Sequence, residues 1–372
     1  MPSFHPPERL LLGPGPSNVA PRVLAALARP TLGHLDPAFV GMMDELKELL
    51  RRAFLTKNAL TVPVSAPGSA GMEACFVNLI EPGDTVIVCK NGVFGGRMRE
   101  NVLRIGATPV MVEDDFGQPV DPAKVEAAIL ANPQTKALAF VHAETSTGAL
   151  SDAETLCAMA RAHGMLSIVD AVTSLGGVPL RVDDWGIDAI YSGSQKCLSC
   201  PPGLSPLSFS ARAVETLKAR KHPVQSWFLD LSLVMGYWEG AGARAYHHTA
   251  PVNMLYALHE SLTALHEEGL DAAWARHAAN HQRLRTGLEA LGIEFLVPEA
   301  ARLPQLNAVR IPEGIEDAPV RKRLLEQYGI EIGAGLGPLA GKVWRIGLMG
   351  SSSSPESVDR VLAALGEVLA RE

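Results

Sequence analysis

From Leu60 to Asp170 the chain repeats one unit: a short, almost wholly apolar run, a loop of small residues, and a longer amphipathic stretch. Runs that short and that apolar read as strands covered on both faces, and the stretches between them carry the period of a helix. The pattern predicts strands over 60–64, 86–89, 109–112, 137–142 and 166–170, with helices over 72–80, 96–105, 122–130 and 152–163. A further apolar run over 187–191 reads as the strand next to the last of these. Strands and helices alternating in this way specify a mainly parallel, doubly wound α/β sheet. In such sheets ligands bind where loops leave the carboxyl ends of the strands.

Those loops hold the polar residues that invite chemistry. Ser167-Ile-Val-Asp170 ends a strand in a carboxylate, and Tyr191-Ser-Gly-Ser-Gln-Lys196 follows the neighbouring strand with a lysine, so Asp170 and Lys196 arrive at one sheet edge. Pyridoxal phosphate needs such a pair: an amine to hold its aldehyde and a carboxylate to keep its ring nitrogen protonated. Alone, a lysine is equally a solvated surface group and a strand-end aspartate a cap. The loop Ala66-Pro-Gly-Ser-Ala-Gly71 runs from a strand into a helix, an arrangement that aims free N–H groups at an anion, with Gly68, Ser69 and Ala70 as the candidate phosphate cradle. It can also be an ordinary strand-to-helix turn. Asn91-Gly-Val-Phe94 and Ala143-Glu-Thr-Ser-Thr-Gly148 bring an aromatic ring and hydroxyls to the same edge. This convergence favours the cofactor site.

After Phe209 the alternation stops. Residues 211–221 and 252–291 read as helical, and the Gly-rich piece from Gly236 to Gly242 reads as a loop. The end of the chain predicts strands over 294–297, 305–311, near Ile330 and over 343–348, with helices over 318–328 and 355–370. The expected organisation is an extended N-terminal segment over 1–16, a large α/β domain over 17–268 and a smaller α+β domain over 269–372. Arg345 interrupts an apolar strand, either as an ion pair or as a group aimed into the crevice between the domains.

With 47% hydrophobic and 20% charged residues, a net charge of −7 and no long basic cluster, the composition offers no signal for nucleic acid. No apolar run nears the roughly 18 residues of a membrane span and no signal-peptide h-region is evident, so the cytoplasm is expected. Five cysteines suit no disulfide scaffold, and Cys197-x-x-Cys200 lacks the further ligands a zinc site needs, so no metal is expected.

The runs Leu11-Leu-Gly-Pro-Gly-Pro-Ser-Asn18, Glu81-Pro-Gly-Asp84, Glu144-Thr-Ser-Thr-Gly148, Val169-Asp-Ala-Val-Thr-Ser174, Tyr191-Ser-Gly-Ser-Gln-Lys196, Tyr246-His-His-Thr249 and Arg345-Ile-Gly-Leu348 together resemble the class V branch of the fold-type I pyridoxal-phosphate aminotransferases. Within it the chain is most similar to alanine–glyoxylate and serine–glyoxylate aminotransferases. The resemblance implies a seven-stranded sheet, a smaller C-terminal domain and a homodimer with shared active sites. It implies that Lys196 binds the cofactor's aldehyde covalently, that Asp170 pairs with the ring nitrogen, and that Phe94 stacks on the ring. Thr145 and Gln195 would lie near the ring hydroxyl, and Gly68, Ser69 and Ala70 at the phosphate. Tyr246 and Thr249 would reach that phosphate from the other subunit. Arg345 would take the substrate carboxylate, with Gly15, Gly33 and His34 nearby.

Two positions depart from the animal enzymes. Phe94 stands where they carry Trp, so stacking covers less area, and Pro67-Gly68-Ser69 replaces Ser-Gly-His, so a hydroxyl replaces an imidazole as phosphate donor; both changes bear on cofactor retention. Serine–pyruvate and 2-aminoethylphosphonate–pyruvate transamination are the alternatives, the second lacking the carboxylate that Arg345 would hold. A cysteine desulfurase needs a mobile cysteine late in the chain, and none follows Cys200. A catalytically silent scaffold would have no reason to keep both Asp170 and Lys196.

Overall fold

The structure, a computed structural model, describes residues 1–239 and 244–370. Seven strands form the large sheet in the spatial order Leu60–Val64, Ser205–Phe209, Ala189–Tyr191, Leu166–Asp170, Ala137–Val141, Thr85–Lys90, Thr108–Glu113. Every neighbouring pair is parallel except those made by Ser205–Phe209, which runs antiparallel to both its neighbours. The central strands are buried along their whole length, as continuous apolar runs under two helical layers should be. Register places Asp170 directly opposite Tyr191, so the last residue of one strand faces the last residue of the next.

Two helices begin earlier than the sequence pattern predicts, at Gly68 instead of residue 72 and at Val93 instead of residue 96. Neither has a side chain of its own N-cap residue to mark its start. The second is capped from far along the chain, Val93 N–H donating to Ser146 Oγ at 2.9 Å. Gly68, Ser69 and Ala70 are therefore the first turn of a helix, and Phe94 lies in the first turn of another.

A second, four-stranded sheet has the order Leu10–Leu12, Ile330–Ala334, Val343–Gly347, Leu306–Arg310. Trp344 and Ile346 on its strands pack with Leu284 and Leu365 of the helices Leu270–Ala290 and Pro355–Leu369 to make a separate core. The strand expected over 294–297 does not form: Phe295 makes a single bridge to Val309, while Leu296 and Val297 cluster with Ala149 and Ala301. The helical span over 252–291 is divided at Gly269, whose φ of 87° interrupts the helix. Gly236 lies within a helix, Leu231–Trp238, where a loop was expected, and residues 240–242 of that stretch lie outside the described residues.

The N-terminal segment joins the two sheets. Leu10–Leu12 pairs in parallel with the small sheet, and five residues on Ser17 donates from N–H to the Gln195 carbonyl (2.9 Å) and from Oγ to the Lys196 carbonyl (2.8 Å). Among the described residues no helix is long and apolar enough to cross a membrane.

Candidate active site

Asp170 and Lys196 line one cavity of about 170 Å³ at the carboxyl edge of the large sheet. The Asp170 carboxylate accepts from Val172 N–H (2.8 Å) and from the Tyr191 hydroxyl (2.7 Å). Burial pushes it up to about 6, against the pull of these donors and of Lys196. Lys196 is buried, and its Nζ donates to the Pro14 carbonyl. Burial first, and Arg345 second, bring the amine down to about 8, near the neutral form a proton acceptor needs.

The first turn of the helix Gly68–Leu79 opens onto the same cavity, through Gly68 and Ser69. Ala70 continues this turn without lining the cavity. Its N–H bonds to the Pro67 carbonyl, so the N–H groups of Gly68 and Ser69 and the Ser69 hydroxyl are the donors left to face an anion there. A side chain at Gly68 would press on Val172 and the Ser192 carbonyl, which is why the backbone can lie against the strand ends. Phe94 lines another wall, with the Arg97 guanidinium 4.6 Å from its ring centroid. Thr145 shares a hydrogen bond with Thr173, and Gln195 carries a buried Oε1 with no partner among the described residues. An unpaired buried acceptor at a cavity wall calls for a donor that the protein itself does not supply.

Arg345 is buried. Its Nε donates to the Ala334 carbonyl (2.7 Å) and its Nη1 to the Thr145 carbonyl (3.0 Å). Among the described residues no carboxylate lies within ion-pairing distance of it. Burial lowers the guanidinium to about 10, and Glu144 is the acid whose field opposes that shift. A buried cation held only by carbonyls is poised to pair with an anion from solution. A Cβ at Gly15 would collide with the Lys196 side chain.

The remaining candidates gather elsewhere. Gly33, His34, Tyr246 and Thr249 lie on an outer face, where the His34 ring is 5.2 Å from that of Tyr246 and Tyr246 is 61% exposed. None of the four lines the Lys196 cavity. Exposed Leu35, Trp227 and Phe228 belong to the same region, with Trp227 stacked on His247 at 4.4 Å. His248 donates to or accepts from Ser65 Oγ at 2.7 Å, and burial with His247 and His34 as neighbours drives it down to about 4.

Tyr191, Arg97 and Thr173 are site residues that the motifs alone do not single out. The pairing of Asp170 with Tyr191 would have exposed the first, and the one-turn spacing from Phe94 the second.

Comparison with known proteins agrees with this geometry. The Aminotransferase class-V family model matches residues 15–359. An (S)-ureidoglycine–glyoxylate transaminase of Bacillus subtilis is 39% identical over 98% of this chain and 91% of its own length. An alanine–glyoxylate aminotransferase of Oryctolagus cuniculus is 42% identical over 98% of this chain and 93% of its own. The crystal structure of an alanine–glyoxylate aminotransferase from Nostoc sp. superimposes with a TM-score of 0.97 at 46% identity, covering 99% of this chain and 97% of that one. With a lysine and an aspartate at one strand edge, an anion-ready helix start beside them and a match along nearly its whole length, the chain belongs to the class-V aminotransferase family.

Proposed function

We propose that the protein transfers the amino group of a small amino acid, alanine or serine, to glyoxylate, using pyridoxal phosphate. The observation that carries the reading is the convergence on one cavity of Lys196, Asp170 and an uncapped helix start, with Arg345 behind them and no acid among the described residues to pair it. These residues fit the cofactor. Its phosphate suits the N–H groups of Gly68 and Ser69, the unpaired Gln195 Oε1 and the Thr145 hydroxyl suit its ring hydroxyl, and Phe94 suits its ring face. Bound there, pyridoxal phosphate supplies an electron sink for the charge left at the substrate's α-carbon when its proton departs.

Asp170 holds a proton at the ring nitrogen, with Tyr191 fixing the carboxylate's orientation. Lys196, its amine made less basic by burial, takes the α-proton and would give it back to the cofactor carbon once the electrons have moved there. Arg345 orients the substrate by its carboxylate, with Gly15 leaving the lysine room to move. The two half-reactions share one site, so the kinetics are ping-pong. Tyr246 and Thr249 serve the phosphate of a partner subunit, and Gly33 and His34 its substrate entrance. The reading makes the protein a homodimer, with the exposed Leu35, Trp227 and Phe228 in the contact. Five free buried thiols accord with a reducing compartment, the cytoplasm. The two separate cores support domains over 17–268 and 269–372.

The test is a panel of donors and acceptors scored by kcat/KM, alongside the visible absorbance of the purified protein. Alanine and serine with glyoxylate should lead. (S)-Ureidoglycine as donor is the second reading, favoured by the 39% identity to the Bacillus subtilis enzyme. Absence of a visible cofactor band, and of turnover with every pair, overturns both.

A further inference from the structure

Behind the cavity lies a carboxyl group with no place in the scheme above. Glu144 is fully buried, in a short hairpin that pairs Ala143–Glu144 with Ala149–Leu150. Its Oε1 accepts from the Ser146 N–H (2.9 Å) and the Ser146 hydroxyl (2.6 Å), while Oε2 has no hydrogen-bond partner among the described residues. The Ser146 hydroxyl donates its hydrogen bond to Glu144, so its lone pair is free to accept from Val93 N–H, the bond that caps the helix Val93–Ile105. Phe94 is the next residue of that helix. Its backbone N–H lies near enough to favour the charged carboxylate. A side chain at Gly92 would collide with the Glu144 carboxyl and Ser146 Oγ, so the glycine is what lets the helix start come this close.

The same hairpin faces the other way. Thr145, next in the chain, lines the cavity and gives its carbonyl to Arg345. Gly148 packs so tightly on the small sheet that a Cβ would lie 2.8 Å from the Leu306 carbonyl, and the Leu303 N–H donates to the Gly148 carbonyl. A carboxyl buried without full hydrogen bonding is costly, and it lies in a hairpin that touches the helix Val93–Ile105, lines the cavity through Thr145 and packs on the small sheet through Gly148. Resting on the transaminase reading, we propose that Glu144 is a positioning residue. Through Ser146 it fixes the first turn of the helix Val93–Ile105, and so holds the Phe94 ring and the Arg97 guanidinium over the cofactor.

The test uses the purified holoenzyme and three variants, Glu144→Ala, Glu144→Gln and Ser146→Ala. Two quantities are read: the rate at which bound cofactor is lost on dialysis, and the visible circular dichroism per bound cofactor, which reports how the ring is held. Glu144→Ala and Ser146→Ala should each lose cofactor about tenfold faster, the size of one charge-assisted hydrogen bond, with the dichroic band reduced in parallel. Glu144→Gln keeps an oxygen for Ser146 and should restore both quantities most of the way to wild type. Wild-type retention and dichroism in Ser146→Ala overturn the proposal by themselves, even if Glu144→Ala does not fold. Equal defects in Glu144→Gln and Glu144→Ala overturn it too. A wild-type protein with no visible band would instead sink the transaminase reading.

Discussion

The Lys196 cavity and the outer face around His34 and Tyr246 both present hydroxyls and aromatic rings, yet they differ in solvation. In the cavity and just behind it, Asp170, Thr145 and Glu144 are buried and most of their polar atoms are fixed by named partners. On the outer face Tyr246 is 61% exposed and its hydroxyl sits 3.4 Å from that of Thr249. Electrostatic preorganisation needs groups withdrawn from water and unable to relax, which only the cavity has. The face becomes a comparable environment only if a second copy of the chain covers it.

The sharpest break of the comparison is at the lysine. Lys196→Ala should lower transamination by at least about 10³-fold, because both the covalent link and the proton transfer are lost. Cofactor should still bind through the other groups. Single-turnover assays and borohydride trapping measure the two separately, and wild-type-like turnover would remove Lys196 from the mechanism.

Arg345→Lys comes next. A lysine cannot reproduce bidentate pairing, so kcat/KM for alanine and glyoxylate should fall by about tenfold or more while the cofactor spectrum stays unchanged. Amines without a carboxylate should be nearly indifferent to the change. If alanine turnover survives and thermal stability falls, the arginine serves the fold through the Ala334 and Thr145 carbonyls alone.

The third prediction tests the outer face. Lys196→Ala and Thr249→Ala subunits, each weak alone, should regain activity when unfolded and refolded together. A hybrid dimer with shared sites has one intact site, and random pairing then yields about a quarter of wild-type activity. No recovery in verified hybrids would mean that each subunit completes its own site.

What was legible in the sequence divides along the same line. The large sheet was readable because buried parallel strands are continuous apolar runs, and Asp170 and Lys196 stood out as charges where such runs end. Helix starts at Gly68 and Val93 were not: the first has no side-chain cap, and the second borrows one from Ser146, 53 residues from the N–H it accepts. Glu144 was visible only as a letter in a motif, because its significance lies in contacts across the chain. The division at Gly269 was hidden by helical periodicity on both sides of one residue. Residues 294–297 looked like a strand because they are apolar, yet they spend that character on Ala149 and Ala301 instead of on a ladder.

The smallest expected effect separates the two regions by pH. Burial raises the Glu144 carboxyl from 4.5 to about 7, so between those values the unfolded chain gives up a proton that the folded chain keeps. The neutral form's advantage is therefore complete below the unfolded value. Stability falls as pH rises from 4.5 to about 7, then levels off, with a total loss of about 3 kcal/mol. Glutamine has no proton to release, so the melting temperature of Glu144→Gln relative to wild type should rise by about 3 °C between pH 5 and pH 8. Tyr246→Phe on the exposed face should show no such trend in that range. Holoenzyme melting curves at matched ionic strength measure both differences. A flat difference for Glu144→Gln would mean that the carboxylate stays ionised in the fold, held by the Ser146 donors and the positive end of the helix they cap, and that burial alone does not set its charge.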